Sequence, residues 1–115
     1  MPRDDGHSSP TASDWQPTSG SYDAETNTVT LSGEWDFSLR DRLRELIDKL
    51  RASYASIDLV DTTFIDSSVL NEIVRAHNRL SACNGRLRIF VGEGHVARLL
   101  KITGLDRVLE VGRKP

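Results

Sequence analysis

The first ordered elements of the chain are indicated by an alternating pattern of polar and apolar residues. From Thr28 to Ser32 the two kinds alternate strictly, which is the period-two pattern of a half-buried strand. A polar run from Asp23 to Asn27 separates this strand from Ser21 and Tyr22. The pattern predicts a β-hairpin whose second strand ends at Gly33.

Three later segments have apolar residues at helical spacing. The first predicted helix runs from Asp36 to Arg51, with Asp36 or Ser38 available to cap its start. The second runs from Ser67 to Ala82 and is stopped by Asn84-Gly85, where the glycine can take a left-handed conformation. A short third helix covers Val96 to Ile102 and ends at Thr103-Gly104.

Short apolar runs between these helices predict the remaining strands. They are Ile57 to Val60, followed by a turn at Asp61 to Thr63, then Arg86 to Val91 and Val108 to Val111. Strands that alternate with helices favour right-handed crossovers and parallel pairing. The sequence therefore predicts an α/β fold with a mixed sheet that begins with an antiparallel hairpin.

Composition sets the limits of this domain. The 115 residues suit one domain, with 37% hydrophobic and 28% charged residues. Residues 1–19 are dominated by Pro, Ser, Thr and Gly and are predicted to be a disordered tail, followed by a domain over residues 20–112 and a short tail over 113–115. With neither a signal peptide nor an apolar run of membrane-spanning length, a cytoplasmic location is expected.

Charge is unevenly distributed along the chain. The net charge of −2 is too small to indicate nucleic acid as a partner. Residues 21–72 nevertheless carry five basic and eleven acidic groups, whereas residues 73–115 carry nine basic and three acidic groups. Solvated helix faces explain this pattern without any function.

The densest group of small polar side chains is Asp66-Ser67-Ser68, between a predicted strand and a predicted helix. Structurally, Ser67 or Ser68 can be the helix N-cap, which stabilises a helix by about 1 kcal/mol. Functionally, a serine at a helix N-terminus can accept a phosphate, which free N–H groups and the helix dipole would stabilise. The phosphate would add about −1.5 to −2 charge, and Asp66 would oppose it. The two interpretations are compatible.

The sequence gives weaker support to a metal site or a catalytic site. The three histidines and Cys83 lack metal-ligand spacing, and no cofactor or metal site is expected. Cys83 is expected to be a small buried or half-buried residue, and His77 a satisfied, half-buried one. A hydrolase that uses Ser67 or Ser68 stays a minor alternative, because the Gly-x-Ser-x-Gly elbow is missing.

The chain resembles the STAS domain family, in particular its anti-sigma factor antagonists. Four stretches carry the resemblance through their order and spacing: Leu31 to Asp36, Ile57 to Ser68, Asn84 to Leu87 and Ile102 to Val108. The resemblance covers about residues 20–112. It implies a STAS-like mixed sheet with helices packed mainly on one face.

The resemblance also implies a function. Such an antagonist binds an anti-sigma factor, a small ATP-binding serine kinase, and so frees a sigma factor for transcription. The kinase phosphorylates the first serine after the aspartate, here Ser67, and a PP2C-type phosphatase resets the switch. The chain would then be a non-enzymatic substrate that contacts neither nucleic acid nor membrane. Partner contacts are expected from Glu34, Asp36, Asp66, Ser68, Val69 and Asn71.

Two departures leave alternatives open. Where the family usually continues the serine pair with Gly-Leu-Gly, this chain has Val69-Leu70-Asn71. The further helix that members often carry after the last strand is absent from this sequence or was removed from it. The first departure allows a different partner or a site that is no longer phosphorylated. A separate alternative is the same fold in another assembly, as the STAS subunit of a lipid-transport ABC complex.

Overall fold

One five-stranded sheet organises the computed structural model, which describes residues 17–114. The predicted disordered tail falls mostly on residues outside this range. The strands are β1 (Ser19–Asp23), β2 (Thr28–Trp35), β3 (Tyr54–Ile65), β4 (Arg86–Phe90) and β5 (Glu110–Gly112). The helices are α1 (Arg40–Ile47), α2 (Ser67–Ala82) and α3 (His95–Thr103), with 3-10 turns at Phe37–Leu39 and Leu105–Arg107.

The strands are hydrogen-bonded in sequence order, β1-β2-β3-β4-β5. The β1–β2 pair is antiparallel and the other three pairs are parallel. The predicted mixed α/β fold with an N-terminal hairpin is confirmed. The apolar stripes of all three helices share one buried core with alternate residues of the sheet, such as Leu31, Ile57 and Ile89. Full burial of each such side chain stabilises the fold by roughly 1.5–3 kcal/mol.

The second strand continues beyond Gly33, so the predicted end there is wrong. Gly33 has φ +82°, and the β2–β3 register shifts next to it. A Cβ at this position would lie 2.7 Å from Thr18 Cα, which explains the need for glycine. The irregularity lets β2 reach Trp35, which is buried and donates from Nε1 to Ser32 O (2.9 Å).

The third strand is also longer than predicted. The turn expected at Asp61 to Thr63 is instead part of a continuous strand from Tyr54 to Ile65. Thr62 is buried, and its hydroxyl group is satisfied there because Oγ1 donates to Leu31 O on β2 (2.9 Å). Satisfied polar groups of this kind let the strand continue through a polar stretch.

Helix ends differ in detail from the prediction. The segment predicted as one helix from Asp36 to Arg51 is a 3-10 turn followed by α1, which ends at Ile47. The predicted α2 bounds, Ser67 to Ala82, are confirmed. After α2, Asn84 takes the left-handed conformation (φ 64°) in place of Gly85, and Cys83 is exposed instead of buried. The last strand begins only at Glu110, because Leu105–Arg107 forms a 3-10 turn.

Charged side chains fix α2 against α1. The buried Glu72 carboxylate accepts from Arg44 Nη2 (2.8 Å) and Arg75 Nη2 (3.0 Å). The bond from Arg44 holds the pKa of Glu72 below its ordinary value against the effect of burial. Arg79 on α2 donates to Ile47 O (2.9 Å) at the end of α1. Within residues 17–114, every helix is too short or too polar to cross a bilayer.

Candidate functional site

Two aspartates leave neighbouring parallel strands at the same edge of the sheet. Trp35 and Ile65, the last residues of β2 and β3, are paired in register. The next residue in each case is an aspartate with extended backbone, Asp36 (φ −128°) and Asp66 (φ −113°). Each aspartate precedes a helical turn, so the two turns lie side by side.

Asp66 is the N-cap of α2, and the expectation that Ser67 or Ser68 is the cap was wrong. Its Oδ1 accepts from the N–H groups of Ser68 (3.0 Å) and Val69 (3.2 Å) and from Ser68 Oγ (2.5 Å). Its Oδ2 accepts from Phe37 N (2.9 Å) in the neighbouring turn. A carboxylate has two oxygens with several lone pairs and can satisfy both turns, which a serine hydroxyl cannot.

These donors also set the charge state of Asp66. Burial alone would raise the pKa of this carboxyl group. The hydrogen bonds from Ser68 Oγ and from the N–H groups of Val69, Phe37 and Ser68 outweigh that effect, so the pKa lies below its ordinary value. Asp66 is therefore ionised at neutral pH.

Asp36 repeats the same arrangement one strand away. Its Oδ1 accepts from Ser38 N (2.9 Å) and from Ser38 Oγ (2.5 Å). We call Asp36–Ser38 the first capped turn and Asp66–Ser68 the second capped turn. Each has the sequence Asp-x-Ser, with the middle residue exposed.

Ser67 is the middle residue of the second capped turn and the first residue of α2. It is exposed, so its hydroxyl can be reached from solvent. The N–H groups of Ser68 and Val69, which were expected to be free for a phosphate, already donate to Asp66. A phosphate on Ser67 would therefore stand outside the cap, close to a carboxylate of like charge.

The other predicted partner-binding residues lie in different environments. Glu34 and Asn71 are exposed, and Ser68 is half-buried with its hydroxyl bound to Asp66. Val69 is 1% exposed and its side chain belongs to the core. The structure thus brings Asp36, Asp66 and Ser68 together around the two turns, while Val69 supports them from inside. Whether a partner touches any of these residues stays a prediction.

Two exposed aromatic side chains at this edge were missed by sequence reasoning. Phe37 is 63% exposed, and the Arg40 guanidinium lies over its ring, 4.8 Å from the centroid. Phe64, also exposed, stacks on His95 with ring centroids 5.3 Å apart. Phe37 does not fit the apolar stripe that begins at Leu39, and an apolar residue off the stripe was the available signal.

His77 lies on α2, away from the two capped turns. His77 is half-buried as expected, but its buried Nδ1 has no hydrogen-bond partner among the described residues, so it is not satisfied. It borders a cleft of about 420 Å³ between the end of α2 and the last strands, far along the helix from Ser67.

Over residues 17–114, acidic, histidine and cysteine side chains form no cluster that could hold a metal ion.

Comparison with known proteins identifies the class of domain. The family model of the STAS domain matches residues 23–114, which is most of the chain. The chain belongs to the STAS domain family. No curated protein matches it significantly in sequence.

Solved structures give the same result for the fold. An anti-sigma factor antagonist from Mycobacterium paratuberculosis superposes with a TM-score of 0.68 at 20% identity, covering 91% of this chain and 92% of that one. A Thermotoga maritima protein described as an anti-sigma factor antagonist gives 0.65 at 21% identity, covering 82% and 84%. The Bacillus cell-fate determinant SpoIIAA in its phosphorylated form gives 0.55 at 16% identity, covering 85% and 93%. At these identities the likeness shows a shared fold.

Proposed function

We propose that the chain is an anti-sigma factor antagonist that is switched off by phosphorylation at Ser67. The observation that carries the proposal is the exposed Ser67 hydroxyl at the start of α2, beside the capping carboxylate of Asp66, on a STAS fold. The structural neighbours described as anti-sigma factor antagonists support the same role.

In the unphosphorylated state, the two capped turns form a rigid surface that binds an anti-sigma factor. That partner is a small ATP-binding serine kinase, so the nucleotide belongs to the partner and the chain needs no cofactor or catalytic group. Binding releases the sigma factor that the kinase had held, and transcription follows. These steps take place in the cytoplasm.

Phosphorylation then ends the interaction by local charge. Because Asp66 already occupies the N–H groups of Ser68 and Val69, the phosphate has few donors to fold back on. It stays on the surface and adds about −1.5 to −2 charge next to an ionised carboxylate. This disrupts docking without unfolding α2. A PP2C-type phosphatase removes the group and restores binding.

The test is phosphorylation by purified kinases. Each small ATP-binding serine kinase of the organism that encodes the chain is incubated with the chain and ATP, and the product is analysed by mass spectrometry. We expect one phosphate on Ser67, none on Ser67→Ala, and normal phosphorylation of Ser68→Ala. A phosphate on Ser68, or no phosphate with any kinase, would contradict the proposal.

One observation favours a second candidate function. Val69 and Asn71 stand where the family motif usually has glycine, and the exposed Asn71 gives the surface beside Ser67 a polar side chain, whereas Val69 is buried in the core. A partner that recognises this surface without phosphorylating it, such as the ATPase of a lipid-transport ABC complex, would fit. Co-purification with such an ATPase, unchanged by Ser67→Asp, would favour this candidate.

A further inference from the structure

We propose that Phe37 is the apolar anchor through which the serine kinase docks on the chain. The inference rests on the proposed function, because it concerns the protein that phosphorylates Ser67. It adds a residue that lies outside the predicted contact set and a requirement on the partner: an apolar pocket beside its catalytic site.

The backbone of Phe37 lies next to the residue that precedes Ser67. Asp66, which directly precedes Ser67, accepts from Phe37 N at 2.9 Å. A stable protein interface covers about 800 Å² on each partner, which is 20–30 residues. An interface of this size that is centred on Ser67 extends to the adjacent first capped turn, so a kinase bound there has Phe37 within its reach.

Phe37 is held in place before any partner arrives. Its N–H is fixed by Asp66, the next residue is fixed by the Asp36–Ser38 bonds, and the Arg40 guanidinium covers one side of the ring. Yet 63% of the residue remains exposed. An ordered aromatic side chain loses little entropy on binding and gains the full benefit of burial, which is typical of interface hot spots.

Arg40 indicates what surrounds the pocket on the partner. The guanidinium lies against the Phe37 ring, so a pocket that receives the ring also meets this cation. An apolar pocket with a carboxylate at its rim matches both groups.

The experiment compares alanine substitutions of exposed apolar residues. Tyr54 (75% exposed) and Ile102 (74%) are matched controls, since both are as exposed as Phe37 but lie on other elements. Binding is measured by calorimetry to the purified kinase that phosphorylates Ser67 in the test above, without ATP. We expect Phe37→Ala to raise Kd about 30-fold, as for a hot spot, and both controls to change it less than about twofold.

Further variants and outcomes separate the inference from the proposed function. Phe37→Leu keeps an apolar side chain and should recover most of the affinity, while the thermal midpoints of all variants stay close to that of the wild type. If the wild type binds and Phe37→Ala binds equally well, the anchor is refuted and the antagonist function stands. If no kinase binds or phosphorylates the wild type, the antagonist function itself fails, and the anchor with it.

Discussion

The two capped turns have the same chemistry but present different middle residues. In each, an aspartate at the end of a parallel strand accepts from the N–H and hydroxyl of a serine two residues later. The first turn presents Phe37 and the second presents Ser67. One local design thus presents an apolar ring and, next to it, a hydroxyl that can be modified.

The turns differ in how much structure depends on each aspartate. Asp36 caps a three-residue 3-10 turn, whereas Asp66 caps the sixteen-residue α2. Asp66 also uses its second oxygen to hold Phe37 N, so it stabilises both turns. The comparison indicates that the first capped turn depends on Asp66 of the second capped turn for part of its stability.

Replacement of Asp66 should have the largest effect. Asp66→Ala removes the N-cap of α2 and the bond to Phe37 together, so we expect a loss of about 2 kcal/mol in the free energy of unfolding. Chemical denaturation monitored by circular dichroism measures it. Ser67→Ala, which changes an exposed residue, should cost less than about 0.5 kcal/mol. Equal losses in the free energy of unfolding from Asp66→Ala and Ser67→Ala would mean that Asp66 does not stabilise the two capped turns.

Replacement of Asp36 should have a smaller effect. Asp36→Ala removes only the cap of the 3-10 turn. We expect the free energy of unfolding to fall by about 1 kcal/mol, which is typical for the loss of one cap. The same denaturation experiment applies. Because both aspartates hold the first turn, the double variant should lose less than the sum of the single losses. Strict additivity would show that the turns are independent.

The periodicity of apolar residues was enough to predict α2, because its stripe, its small polar start and the Asn84-Gly85 stop agree. It also predicted the succession of strands and helices along the chain. It failed on the length of β3, since Asp61 and Thr63 suggest a turn locally. The Thr62 bond to Leu31 O, which makes the strand continue, joins residues far apart in sequence.

The sequence predicted where Asp66, Ser67 and Ser68 lie in the fold but not how they are hydrogen-bonded. Local sequence placed Asp66, Ser67 and Ser68 at a helix start. The bonds from Ser68 N and Val69 N that make Asp66 the cap are local, and aspartate is a preferred N-cap residue, so the sequence allowed this assignment. It could not supply the bond from Phe37 N, which comes from another turn and depends on the register of β2 with β3. For the same reason the exposed Phe37 was not recognised as part of the site.

Acid should affect stability through Asp66 to a moderate degree. Its folded-state pKa lies below its unfolded value, about 3.9, so its contribution is full above that pH and is lost as pH falls through the folded pKa. Asp66→Asn lacks this titration. Denaturation at pH 7 and at about pH 3 should show the wild-type advantage over Asp66→Asn shrinking by at most about 1 kcal/mol, given solvent screening.

The control for this titration is Ser67→Ala, which keeps Asp66. Its stability difference from the wild type should not change with pH. Glu72, whose pKa is also lowered, titrates in both proteins and cancels in the comparison. A gap between wild type and Asp66→Asn that stayed constant down to about pH 3 would show that the carboxylate charge contributes nothing.

Salt should have the smallest effect. The acidic excess of residues 21–72 could attract a basic surface on a partner, but Glu45, Asp48, Asp58 and Glu72 all have basic partners within the chain. Around the two turns, Asp36 and Asp66 are engaged with N–H groups, and Arg40 adds positive charge. Arg42 and Arg44 already count among the five basic groups of this segment, so only Arg75 and Lys114 reduce its acidic excess, which is lowered but not cancelled.

Binding of the proposed kinase should therefore depend moderately on ionic strength. Raising salt from about 0.1 M to about 1 M shortens the Debye length from about 10 Å to about 3 Å and removes long-range attraction. We expect Kd, measured by calorimetry, to rise less than about tenfold, and Glu34→Gln to reduce that rise slightly. A much steeper dependence would mean that charge governs docking and that the Phe37 ring is secondary. No dependence at all would show that the acidic excess of residues 21–72 contributes nothing to binding and would leave the apolar anchor as the main source of affinity.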